Sequence, residues 1–158
     1  MDDVLVFGDR SGDRFEIGPF ERLPGDLQTA ARGIEAPMVL WREGVAIGRR
    51  TGEIEPLALS NLRSDLRELR RSGYGSVTFS DHDMTLVHLN GRPDGPIVVR
   101  ITLPDAEIWW EPIGTANRGT IDDLILAIDA VARAHGPLTG YLGCCGRPDP
   151  TYRPVPLD

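Results

Sequence analysis

Lysine is absent from this 158-residue chain, and all 17 basic residues are arginine. Arginine has GC-rich codons and lysine has none, so the absence reports a GC-rich bacterial genome and not a demand for guanidinium chemistry. Cysteine is nearly absent as well. The two present, Cys144 and Cys145, are adjacent, and a bridge between neighbours closes only a strained ring, which excludes a disulfide framework. Aromatic residues are 6% of the chain. Long apolar runs are missing too. After the acidic start Met1-Asp2-Asp3 the first run, Val4 to Phe7, ends after four residues. The expectation is a cytoplasmic protein with neither a signal peptide nor a membrane span.

What is present describes a folded chain. With 41% hydrophobic and 26% charged residues, there is enough apolar surface for a core, and the length suits a single domain over residues 1–158. Twenty-four acids against 17 arginines give a net charge of −7, which repels a phosphate backbone and argues against nucleic acid as a partner. The 18 glycines and 13 prolines fall mostly between apolar runs, where turns need positive or preset φ, and favour many short strands over a helical bundle.

Val4 to Phe7 and Phe15 to Ile17 read as an opening hairpin around Gly8 to Asp13, and Met38 to Trp41 with Val45 to Ile47 as a second around Glu43-Gly44. Asp26 caps a short helix through Ala31. Leu59, Leu62, Leu66 and Leu69 share one face of a helix from about Pro56 to Ser72, closed by Gly73. A second helix runs from Thr120 to His135 behind a Thr120/Asp123 capping box. Being apolar nearly all round, it is expected to be the more buried of the two. Between them Ser76 to Ser80, Met84 to Leu89, Pro96 to Leu103 and Ala106 to Glu111 are joined by connections short enough only for antiparallel neighbours. A last strand is expected over Thr139 to Cys144, then an extended Pro-rich tail. The fold class is α+β, mainly antiparallel sheet (hairpins plus a four-stranded meander), with two principal helices packed on it.

Three motifs invite chemistry and fall short of it. Gly114 to Thr120 echoes a phosphate-binding loop, but no lysine follows Gly119, and Asp122 and Asp123 put negative charge where an anion would sit. Asp81-His82-Asp83 with His88 offers ligand types for a metal but no second cluster, so it reads as a polar turn, and no metal or cofactor is expected. Cys144 or Cys145 could serve a small thiol enzyme or hydrolase with His82, His88 or His135 as base. That is the alternative function, although no family signature surrounds these residues.

Glu107-Ile108-Trp109-Trp110-Glu111 is the most informative stretch. Strand alternation sends Trp109 and Trp110 to opposite faces, and an indole flanked by carboxylates is an anchor of the kind interfaces use. Residues 81 to 129 hold nine acids against three arginines, whereas residues 36 to 80 hold seven arginines against five acids. The arginines at 63, 67, 70 and 71 read as a solvated helix face with local pairs such as Glu68 with Arg71. In length, acidity, a meander followed by a helix, and the Trp109 to Glu111 stretch, the chain resembles the stand-alone immunity proteins that neutralise bacterial polymorphic toxins. The resemblance implies a protein partner, a basic toxin domain whose active site is occluded, and no enzymatic activity. Asp81, Asp83, Asp105, Glu107, Trp109, Trp110 and Glu111 are the candidate partner-binding residues.

Overall fold

The computed structural model describes residues 3–9, 12–22, 34–93, 95–103 and 108–135, with residues 22 and 108–115 described by their backbone alone. The fold is α+β and its strands pair antiparallel in two sheets. The first sheet contains Leu5–Gly8 (β1), Arg14–Ile17 (β2), Glu21–Arg22 (β3), Ile34–Arg42 (β4) and Val45–Ile54 (β5). The chain then forms a helix, Pro56–Ser72 (α1), before the second sheet of Gly75–Ser80 (β6), Thr85–Gly91 (β7), Ile97–Leu103 (β8) and Ile108–Ala116 (β9). Arg118–His135 (α2) follows.

Both expected hairpins form. β1 pairs with β2 from Leu5↔Ile17 to Gly8↔Arg14, and β4 with β5 from Ile34↔Ile54 to Arg42↔Val45. Since β5 runs along the whole of β4, β2 and β3 take the opposite side of β4 in succession, at Met38 to Trp41 and at Ile34 to Glu35. Alternation explains the two faces. Ile34, Ala36, Met38 and Leu40 are buried while Glu35 and Pro37 are exposed, as a period of two requires.

The second sheet is the meander, in the order β6-β7-β8-β9. Its inner face carries Val77, Phe79, Val87, Leu89, Val99 and Ile101, which join the buried residues of the first sheet and of both helices in one apolar core. Each such side chain contributes roughly 1.5–3 kcal/mol by leaving water.

α1 has the expected bounds. Pro56 occupies its first turn, where the missing N–H costs nothing, and Leu59, Leu62, Leu66 and Leu69 are buried. Gly73 ends it in the left-handed region (φ 69°), donating its N–H to the Leu69 carbonyl at 2.7 Å. α2 differs from expectation at its start. Asn117, not Thr120, is the cap. The Thr120 N–H donates to Asn117 Oδ1 at 2.9 Å, while Asn117 donates its own N–H to Thr120 Oγ1 at 3.4 Å. The two helices are buried to a similar extent. α2 buries Ile121, Leu124, Ala127, Ile128, Ala130 and Val131 and exposes six residues, among them Leu126 at 48%, while α1 buries seven and exposes eight. The expected short helix after Asp26, the strand over Thr139 to Cys144 and the C-terminal tail lie outside the described residues.

Candidate functional site at the turn end of the meander

In a meander alternate connections fall at the same end of the sheet. The β6–β7 turn, residues 81–84, lies at the end where Ser80 pairs with Thr85, and there too Leu103 pairs with Ile108 as β8 gives way to β9. The candidate residues Asp81, Asp83, Trp109, Trp110 and Glu111 therefore belong to one end of one sheet. Asp105 and Glu107 lie outside the described residues, and the side chains of Trp109, Trp110 and Glu111 are likewise not described.

The turn is built by Asp81. Its Oδ1 accepts the backbone N–H groups of Asp83 and Met84, both at 2.8 Å, and its own N–H donates to the Met84 carbonyl at 3.0 Å. Its Oδ2 accepts from Arg50 of β5, at 2.9 Å from Nε and 2.8 Å from Nη2, and the same Nη2 reaches Asp83 at 3.0 Å. His82 donates its N–H to the Glu53 carbonyl of β5 at 2.8 Å. This end of the second sheet thus docks on the edge strand of the first. Gly52 permits the approach, because a Cβ there would sit 2.6 Å from Met38 Cε and 2.8 Å from Asp81 Oδ2.

The docking divides the two turn acids. The Asp81 side chain is 1% exposed and its oxygens are already engaged, whereas that of Asp83 is 74% exposed. Asp81 therefore shapes the turn with its carboxylate engaged inside the chain, and Asp83 is the turn acid that faces solvent. Arg50 also removes one unit of negative charge from this end.

The register of β9 bears on the tryptophans. Ile101 pairs with Glu111 but Leu103 with Ile108, so β9 fits Trp109 and Trp110 against the single residue Thr102. Strict alternation does not hold across such a bulge, and the expectation of opposite faces loses its basis. β9 repeats the device one step on, where Val99 pairs with Gly114 and Arg100 with Pro112. Thr102 is 3% exposed, so at this end β8 is shielded on both faces.

The charge asymmetry is also reduced by folding. α1 and α2 pack antiparallel, and arginines one heptad apart on one meet aspartates one heptad apart on the other. Arg63 Nε lies 2.9 Å from Asp129 Oδ1, and Arg70 pairs with Asp122 through both Nε and Nη2. The Arg70 hydrogen bonds hold the Asp122 carboxyl below its ordinary pKa and raise that of the guanidinium. Only Arg71 keeps the local pair expected from sequence, with Glu68, whose pKa it lowers through a side-chain hydrogen bond. The expected solvated arginine face is thus in part an interhelical seam.

No family model, curated protein or solved structure matches the chain.

The remaining motifs take plain structural places. Gly114, Thr115 and Ala116 finish β9 and the Asn117 cap follows at once, so no glycine loop intervenes to cradle a phosphate. His82 is exposed, 4.0 Å from Glu55. His135 lies 3.7 Å from Asp3, and His88 sits on the outer face of the meander opposite Arg100. No group of three His, Cys, Asp or Glu side chains converges among the described residues. No described helix is long and apolar enough to cross a membrane. Cys144 and Cys145 lie outside the described residues. Sequence reasoning missed Arg50, since only the fold brings it 31 residues along the chain to Asp81.

Proposed function

We propose that this chain is a binding protein that neutralises a basic toxin domain, acting as an immunity protein in the cytoplasm of a bacterium. Asp83, Asp105, Glu107, Trp109, Trp110 and Glu111 form the contact surface, with Asp81 and Arg50 fixing the turn beside it. The observation that carries the reading is the convergence of the Asp83 turn and the start of β9 at one end of one sheet. A surface there combines amphipathic indoles with carboxylates, the first to fill pockets and the second to steer and orient a basic partner. The mechanism is occlusion, in which a carboxylate takes the place of an anionic substrate at the partner's cationic site.

The test begins with the gene beside this one. Its product, expressed in a host that it poisons, should be tolerated when this chain is co-expressed, and the Trp109→Ala/Trp110→Ala double variant should lose the protection while remaining folded. A neighbour without toxicity, or protection indifferent to both substitutions, would overturn the proposal.

A further inference from the structure

His82 sits in the β6–β7 turn between the buried carboxylate of Asp81 and the exposed one of Asp83. Its backbone N–H is held by the Glu53 carbonyl at 2.8 Å, while its side chain is 63% exposed, with Nδ1 4.0 Å from Glu55 Oε1. Glu55 is the residue before α1, and its side chain makes no capping hydrogen bond to that helix, so its carboxylate is available to the imidazole. We infer that His82 makes capture of the basic partner depend on pH, admitting it when neutral and opposing it when protonated. The inference rests on the reading of this end of the meander as the surface that meets a basic partner.

Histidine is the side chain that gains its charge between about pH 8 and about pH 5. The described charged groups beside His82 are Arg50 and Glu53 of β5, Glu55 at the start of α1, and Asp81 and Asp83 of its own turn. Asp105, Glu107 and Glu111 belong to the same end of the sequence-predicted surface. Arg50 already bridges Asp81 and Asp83 through Nη2. A neutral imidazole leaves Glu55 and the outward side of Asp83 to the partner's cations. A protonated one acts twice. It draws Glu55 into an ion pair within the chain, and it sets a positive charge against a positive partner, where like charges facing each other weaken binding. The exposed acids do not produce the same effect, because ordinary carboxylates keep their charge down to about pH 5.

The experiment measures the affinity of the full chain for the toxin domain encoded beside it at about pH 7.5 and about pH 5.5, for the parent and for His82→Gln, at one ionic strength. Titrating groups of the toxin act on both proteins alike, so the readout is the difference between them. Over this interval the parent is expected to lose about tenfold more affinity than His82→Gln. In the chain alone, NMR should show the His82 ring and the Glu55 carboxyl carbon shifting with one midpoint, a coupling that a turn histidine without an ionic partner does not produce. Equal losses in parent and variant, or a Glu55 signal that ignores the imidazole titration, would overturn the inference and leave the binding surface standing. No complex at either pH would instead remove the surface, and the inference with it.

Discussion

Asp81 and Asp83 are two positions apart in sequence and carry the same charge, yet folding gives them different work. Asp81 holds four hydrogen-bond donors on two oxygens while nearly inaccessible to solvent. Removing it takes the buried carboxylate from Arg50, which keeps its contact with Asp83, and leaves two backbone N–H groups unpaired, so Asp81→Ala should cost about 3 kcal/mol in urea denaturation. Asp83→Ala, at an exposed carboxylate, should cost under about 1 kcal/mol. Asn117 and Thr120 satisfy each other's backbone N–H at the start of α2, and Asn117→Ala should lower stability by about 1 kcal/mol in the same assay. Little of this was legible in the chain. A Thr120/Asp123 spacing satisfies the capping pattern as well as Asn117/Thr120 does, and only the register at which β9 ends decides between them. The partner of Asp81 was hidden for a different reason, since a side-chain contact across 31 residues leaves no local pattern to read.

At the scale of elements the sequence was far more informative, because strand and helix periods are local. The leucine repeat set the bounds of α1, and the short connections within residues 81 to 107 set the antiparallel meander. What periodicity could not supply was the bulge opposite Thr102, which inserts a residue without disturbing hydrophobic content, or the meeting of the two helices. Mean hydropathy set α2 above α1 in burial, whereas the two are buried to a similar extent and Leu126 of α2 faces water. The interhelical pair gives a pH test. Folding lowers the Asp122 pKa through Arg70, so its contribution is fully present above the unfolded value of about 3.9 and is lost as pH falls through the lower folded value. Asp122→Asn should therefore be less stable than the parent chain at neutral pH, with the difference closing below about pH 4 in thermal melts. Gly52→Ala probes the junction of the two sheets. Its new methyl meets Met38 and Asp81, and a loss of about 1–3 kcal/mol is expected from overpacking.

For the whole molecule, a net charge of −7 favours association with a cationic partner, but folding reduces the number of acids available for it. Arg50, Arg63 and Arg70 engage Asp81, Asp83, Asp129 and Asp122, so four of the nine acids counted between residues 81 and 129 already hold arginines. The proposed surface consequently rests on fewer carboxylates and more on the two indoles than the sequence alone suggested. Electrostatic steering should survive in the association rate, slowing as salt shortens the screening length, while the indoles govern dissociation. The most direct measurement is the binding kinetics of the purified chain with the toxin domain encoded beside it, for the parent and for the Trp109→Ala/Trp110→Ala variant, at low and high salt. The expected result is a stoichiometric complex whose association slows with salt and whose dissociation accelerates at least about tenfold in the variant. A complex with the same dissociation rate in both proteins, or no complex at all, would contradict the assignment of this end of the meander as the binding surface.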